Sequence, residues 1–152
     1  MRKLIPAFLL SLLLFQAACK SKDKEVPKSE NSVDAARNFI RAALDGKFGE
    51  AEKYMLQDSL NLNYLEVAER SYKNADQSVK DGYRGASIHF YDPIPTNSDS
   101  VSILVYDNSF MNNKDTLKLV RINNNWLVDL KYLYLHDEDN PMPPPQKTDT
   151  LK

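Results

Sequence analysis

The apolar residues of this chain change their spacing once, close to residue 86, and that change limits the folds open to it. From Ser32 they recur every three or four residues, as on an amphipathic helix. After Gly85 they recur at every second residue, as on a strand with one buried face. Helices followed by antiparallel strands predict an α+β domain, in which one helical layer packs on one face of a sheet.

The helical half contains signals for three helices. The first is predicted to have Ser32 as its N-cap and to end before Gly46; the second covers residues 48–56. The third is predicted over residues 59–75, with Asp58 or Ser59 as its cap. The stretch that contains Gly82 and Gly85 is predicted to be a loop.

The strand half predicts about four antiparallel strands, at residues 88–91, 101–106, 116–122 and 126–132. Alternation predicts which side chains face the helices: Ile88, Phe90, Val101, Ile103, Val105, Leu117, Leu119, Trp126, Val128 and Leu130. The other face would then carry His89 and Asp129 and an apolar group made of Tyr91, Leu104 and Tyr106. Such a face could pair with a second copy of the chain, so a homodimer through the outer sheet face is one open alternative.

Residues 1–18 have the three-part layout of a secretory signal peptide. A positive start is followed by an apolar run of about a dozen residues and by the small pair Ala17-Ala18. The run is shorter than the roughly 20 residues that a membrane-spanning helix needs. We therefore expect this segment to be removed from the mature protein.

The sequence Phe15-Gln16-Ala17-Ala18-Cys19 resembles the lipobox of bacterial lipoproteins, in which the cysteine is alkylated with diacylglycerol and becomes the new N-terminus. Gln16 stands where that box usually has Leu, Val or Ile. Acyl chains on Cys19 would be the membrane partner, with residues 19–31 as a flexible tether. In the sorting of such lipoproteins an Asp after the cysteine favours the inner membrane; Lys20 therefore implies the outer membrane, and we favour its periplasmic side.

Two stretches of the domain resemble a known fold family. "FIRAALDGKFGEAEKYM" and "LVRINNNWLVDL" are similar to bacterial lipoproteins with a lumazine-binding-like domain of the nuclear transport factor 2-like fold. That resemblance covers residues 32–134 and implies a curved sheet wrapped around a helix in a cone. Enzymes of this fold, such as steroid isomerases and dehydratases, place Asp, His or Tyr inside the cone.

The residues themselves carry no known catalytic motif, no Cys/His cluster for a metal and no phosphate loop, so we expect no cofactor and no metal. The chain has 20 basic and 21 acidic residues, and two of the basic ones, Arg2 and Lys3, belong to the predicted signal peptide. Without that peptide, 18 basic residues remain against 21 acidic ones, a net charge of −3, which gives no indication of a basic face for nucleic acid. Asp129 and His89 are candidates for acid–base chemistry, but solvent-facing strand positions explain them better. The aromatic candidates for a pocket lining, which plain core packing also explains, are Tyr64, Tyr72, Phe90 and Trp126.

Four triplets read Asp, then a hydroxyl residue, then an apolar residue, and are similar to the acceptor motif of bacterial O-glycosylation systems. Their hydroxyl residues are Ser59, Ser100, Thr116 and Thr150. The tail at residues 136–152, acidic and then proline-rich, is predicted to be disordered. The sequence thus predicts a lipid-anchored protein whose domain, residues 32–135, binds a small apolar ligand or an envelope protein; the alternatives are an isomerase or dehydratase and a dimerising element.

Overall fold

A computed structural model describes residues 28–135. The segments predicted at 1–18 and 136–152, most of the tether, Cys19 and Thr150 lie outside the described residues. The chain forms α1 (Ser32–Leu44), α2 (Phe48–Ala51), a 3₁₀ turn (Glu52–Tyr54), α3 (Ser59–Asn74), α4 (Gln77–Gly85), β1 (Ile88–Phe90), β2 (Val101–Asn108), β3 (Asp115–Ile122), β4 (Asn125–Asp129) and α5 (Leu130–Leu135). The strands lie in chain order in one antiparallel sheet, which confirms the predicted α+β class.

The core lies between α1 and one face of the sheet. The helix buries Ala35, Ala36, Phe39 and Ile40, and the facing strands bury Leu104, Leu117, Leu119 and Val128. Ile88, Phe90 and Trp126 pack against the same cluster, as alternation predicted. Met55 forms a parallel bridge to Val128, and the Leu56 amide donates to the Val128 carbonyl at 2.9 Å, so this segment covers the free edge of β4.

The predicted orientation of β2 is wrong. Leu104 is 1% exposed and pairs with Leu117, and Tyr106 pairs with Phe90 and packs against the core. Nearly every residue from 101 to 106 is apolar, so alternation alone leaves the phase of this strand undetermined. The outer face consequently carries Val101, Ile103, Val105, Val120 and Leu127, and Leu104 and Tyr106 are absent from it.

Two segments adopt helices where none was predicted. The region around Gly82 and Gly85 forms α4 rather than a loop, and Leu130 starts α5 rather than extending the last strand. Contacts distant in sequence explain both: the Phe110 ring fills the space where a side chain at Gly82 would lie, and the Leu130 amide donates to the Asn61 side chain at 2.7 Å. Glycine lowers the stability of a helix by a small amount, so these packing contacts are sufficient to keep α4 helical.

The boundaries of α1 follow its local sequence. Its N-cap is Asn31, one residue before the predicted cap, because the Asn31 side chain accepts a hydrogen bond from the Asp34 amide at 2.9 Å. At its end, Gly46 has a φ of 75°, in the left-handed region that favours glycine. The Tyr72 ring lies directly on this glycine: a β-carbon there would be 2.5 Å from Tyr72 Cε1.

We expect Gly46→Ala to lower the free energy of unfolding by more than about 1–2 kcal/mol, the cost of a left-handed residue alone, because the new methyl would also collide with Tyr72. Gly49→Ala is the matched control, since it lies in α2 and, apart from its chain neighbours and the backbone of its own helix, no atom of residues 28–135 lies within 4 Å of its missing β-carbon. Urea denaturation of both variants measures the difference. Equal stability of the two would contradict the described turn.

Candidate functional site

A pocket of about 440 Å³, open to solvent on one side and called the cavity below, lies between α1, α2, α3 and α4, away from the sheet. Its size falls within the range of small-molecule sites in proteins. The lining is apolar or hydroxyl-bearing throughout and consists of Ala43, Leu44, Phe48, Val67, Ala68, Ser71, Tyr72, Ala75, Val79 and Tyr83. Among residues 28–135, no acidic, basic or histidine side chain contributes to it, so the polar groups of these residues in the lining are hydroxyls and backbone atoms.

The space exists because one stripe of α3 and of the residue that caps its end is made of small residues. Ala68, Ser71 and Ala75 follow one another at helical spacing on the side that faces α1 and α4. Larger side chains at these positions would fill the gap between the helices. This row of small residues was the signal for the cavity in the sequence. It contains no side chain typical of catalysis or metal binding, so those residue types do not reveal it.

Aromatic rings form a connected wall on one side of the cavity. Phe48 and Tyr72 meet edge to face with their centroids 5.6 Å apart, and Tyr72 lies 6.3 Å from Tyr83. Tyr83 in turn contacts Phe110, from the loop between β2 and β3, at 5.1 Å. Within residues 28–135 the buried hydroxyl of Tyr72 has no hydrogen-bond partner.

Of the four aromatic residues predicted to line a pocket, the structure places one in this cavity. Tyr72 lines it and also packs against the core, whereas Tyr64, Phe90 and Trp126 pack against the core without lining the cavity. Phe90 lies under the Arg37 guanidinium at 5.1 Å, and Trp126 lies under that of Arg121 at 5.5 Å. The four residues are therefore not brought together.

His89 and its neighbours form a small polar cluster at the opposite surface. His89 Nδ1 lies 3.2 Å from Asp107 Oδ1, and the Tyr91 hydroxyl donates to the other oxygen of the same carboxylate. That bond from Tyr91 lowers the pKa of Asp107 and raises the pKa of Tyr91 itself. Lys114 lies over the Tyr91 ring at 4.1 Å. His89, Tyr91 and Lys114 are exposed, Asp107 is half-buried, and none of the four lines the cavity.

Asp129 is buried, although a solvent-facing position was predicted for it. Asn61 of α3 lies against its carboxylate, and Lys118 and Lys131 each place their Nζ 3.5 Å from one of its oxygens. Asn61 also donates to Asp58 at 2.7 Å, and Lys131 donates to the same Asp58 carboxylate at 2.8 Å. The bond from Lys131, together with those from Asn61, lowers the pKa of Asp58 to about 2. This cluster joins the start of α3 to the start of α5 and leaves Asp129 outside the cavity.

The residues of the predicted glycosylation motifs occupy different environments. Ser59 is exposed at the first position of α3, and Ser100 is exposed in the turn before β2. Thr116 is half-buried within β3, where it pairs with Val105. Ser59 and Ser100 are thus the two described positions that an enzyme could reach without displacing a strand.

Arg41 fixes α4, which forms one wall of the cavity, to α1. Its guanidinium donates to the carbonyls of Ala86, Tyr83 and Arg84 at 2.8, 3.0 and 3.3 Å. These carbonyls belong to the end of α4, where helical partners run out. Asp45 holds the same guanidinium at 3.0 Å.

We expect Arg41→Met to lower the free energy of unfolding by about 1.5–3 kcal/mol, as for other hydrogen bonds to a charged group. Because α4 loses its capping group, its amides should exchange with deuterium faster than those of α1. Arg70→Met is the control, since Arg70 is exposed and forms only a 3.7 Å ion pair with Glu66. Unchanged exchange in α4 would show that Arg41 does not hold it.

Among the helices of residues 28–135, none has both the length and the hydrophobicity to span a membrane. In the same part of the chain no three side chains of His, Cys, Asp or Glu converge as metal ligands. Comparison with protein-family models, with curated proteins and with solved structures found no match to this chain.

Proposed function

We propose that this protein is a lipid-anchored envelope lipoprotein whose domain binds a small apolar ligand without acting on it chemically. The cavity of about 440 Å³ between α1, α2, α3 and α4 supports this proposal, because its lining is mostly apolar and, among the described residues, includes no side chain that transfers protons near neutral pH. Burial of apolar surface would supply the binding free energy.

The fold proposed for the domain is the nuclear transport factor 2-like cone. Two observations support it: the helices precede the strands, and α1 lies across one face of a four-stranded antiparallel sheet. The enzymes of that fold use acids and bases inside the cone. Here His89 and Asp129 alternate along their strands with residues that pack in the core, so they lie on the face of the sheet turned away from the inside of such a cone, and neither supports the isomerase or dehydratase alternative.

Filling the cavity tests the binding proposal. The full-length chain in mild detergent is titrated with the uncharged fluorescent probe N-phenyl-1-naphthylamine. We expect saturable binding that Ala68→Trp abolishes, because the indole would occupy the space between α3 and α1. Ser78→Trp, on the exposed face of α4, is the control and should leave binding unchanged. Equal binding by both variants would place the probe elsewhere and overturn the proposal.

The anchor is proposed at Cys19, on the strength of the apolar run and the Ala17-Ala18 pair before it. We expect Cys19→Ala to fold normally but to leave the membrane fraction, since a thioether-linked diacylglycerol would no longer form. Ser21→Ala is the control and should stay at the membrane. Fractionation of cells expressing each variant, with intact masses, measures this; retention of Cys19→Ala at the membrane refutes the anchor.

A second copy of the chain is the second proposed partner, through the outer sheet face. The corrected orientation of β2 favours this, because Val101, Val120 and Leu127 form a continuous aliphatic row across three strands of that face. Val120→Lys, at the centre of the row, should convert the dimer to a monomer in sedimentation equilibrium. A wild-type chain that stays monomeric at high concentration would exclude it.

A further inference from the structure

We propose that the cavity takes up a single unbranched hydrocarbon chain whose polar end stays in water, and that Ala75 sets the length of chain that fits. This inference rests on the proposed binding function and adds the chemical class of the ligand and a residue that determines specificity. Three features of the cavity carry it: the scarcity of hydrogen-bonding groups in its wall, its elongated shape, and its closed end at the turn between α3 and α4.

The wall of the cavity is poor in hydrogen-bonding groups. The Tyr72 hydroxyl is buried against the turn at Gly46, where a β-carbon would lie 3.1 Å from its oxygen, so it is sealed from the cavity. Ser71 is exposed, so its hydroxyl belongs to the open side. Apart from Tyr83, the other side chains of residues 28–135 in the lining are hydrocarbon. A ligand therefore binds best with hydrocarbon inside and its polar group in water, because a buried polar group loses its bonds to water.

The cavity is elongated along α3. Its lining on that side extends from Val67 to Ala75, the residue that caps the helix, with Ala68, Ser71 and Tyr72 between them. At a rise of 1.5 Å per residue, the two ends of this row lie about 12 Å apart. A compact ligand would leave part of the row in contact with water, whereas an extended chain covers its whole length.

One end of the cavity is closed by the turn between its own walls. Because α3 ends at Asn74 and α4 begins at Gln77, the two helices are joined by Ala75 and Asp76 alone. Ala75 and Val79, on either side of this junction, both line the cavity. The tip of a bound chain therefore stops at the Ala75 methyl group, and a larger side chain at this position shortens the space.

The apolar wall makes affinity depend on the length of the chain. Besides α3 and α4, the wall includes Ala43, Leu44 and Phe48 from α1 and α2, which supply apolar surface for each part of the chain. Burial of one more methylene group raises the affinity about fourfold. The gain ends once the chain fills the cavity, because further methylenes stay in water. Affinity should therefore rise with chain length and then level off.

Displacement of N-phenyl-1-naphthylamine by a homologous series from 1-hexanol to 1-tetradecanol measures this dependence. The full-length chain is held in digitonin, a detergent without an alkyl chain that could compete for the cavity. We expect the affinity of the wild type to rise about fourfold with each methylene and then to level off. Cyclododecanol, which has the carbon atoms of 1-dodecanol closed into a ring, should displace the probe less well than 1-dodecanol.

Substitutions at Ala75 test its role in setting the length. Ala75→Leu should move the levelling point to alkanols shorter by about three methylenes, the carbon atoms that leucine adds, and leave the affinity for 1-hexanol unchanged. Ala75→Val adds less volume and should move it by a smaller step, which keeps the test open if the leucine variant does not fold. Asn74→Leu is the control, because Asn74 is exposed and does not line the cavity. Comparison of variants at each chain length removes the partition of the alkanols into micelles.

The outcomes distinguish this inference from the proposal on which it rests. A levelling point that both substitutions at Ala75 leave in place, or an affinity that does not depend on chain length, overturns the inference and leaves the binding cavity intact. Equal displacement by cyclododecanol and 1-dodecanol does the same. Failure of the wild type to bind N-phenyl-1-naphthylamine overturns the binding function and this inference together.

Discussion

We expect Leu104→Ala to lower the free energy of unfolding by about 2–5 kcal/mol, the range for truncating a buried leucine. Leu104 is 1% exposed and lies opposite Leu117 on the inner face of the sheet. Its removal would leave a cavity that the neighbouring strands cannot close, because they are held in register on both sides of β2. Urea denaturation with a two-state fit measures the loss.

Ile103→Ala is the matched control for this prediction. Ile103 precedes Leu104 in the same strand and lies on the outer face, where it pairs with Lys118. Truncation there removes contacts with solvent-facing neighbours, so we expect a loss of about 1 kcal/mol, typical of single substitutions. A larger loss from Ile103→Ala than from Leu104→Ala would mean that β2 presents its other face to the helices.

We expect Asn61→Ala to be comparably damaging, at about 1–3 kcal/mol for each buried polar group that it leaves unpaired. Asn61 is completely buried, and its side chain accepts from the Leu130 amide at 2.7 Å. Its amide nitrogen lies 2.7 Å from an oxygen of Asp58 and 3.4 Å from an oxygen of Asp129. Alanine would leave the Leu130 amide without its acceptor and would remove a donor from the buried carboxylate of Asp129.

Chemical denaturation of Asn61→Ala next to Asn38→Ala measures this effect. Asn38 is exposed on α1, so its replacement by alanine should be neutral or slightly stabilising through helix propensity. Hydrogen exchange gives a second readout, because the amides of α5 should lose protection first. If the two variants proved equally stable, the join between α3 and α5 would contribute nothing measurable to the fold.

The parts of the fold that local sequence determines were predictable, and the parts that depend on distant residues were not. The single change in the spacing of the apolar residues predicted the α+β class, and Gly46 predicted where α1 ends. The helix α4 depends on Arg41, whose hydrogen bond to the Ala86 carbonyl spans 45 residues. The local sequence of α4 does not contain this contact, and its two glycines therefore predicted a loop. The phase of β2 depends on its pairing with β3, since both of its faces are apolar.

The candidate site shows the same division. Tyr72 could be proposed as a lining residue from its place among the aromatic residues of a predicted helix, and it does line the cavity. The cavity itself results from missing volume at Ala68, Ser71 and Ala75, contributed jointly by helices whose packing no local pattern specifies. The unpaired state of the Tyr72 hydroxyl is likewise a property of the assembled helices.

Neither edge of the sheet is well suited to pairing with an additional strand. On one side the Leu56 amide already occupies the Val128 carbonyl of β4. On the other, β1 is only three residues long, and the chain after it carries Pro93 and Pro95, which have no amide hydrogen to donate. Copies of the chain can therefore meet at high local concentration without templating β-aggregation through these edges.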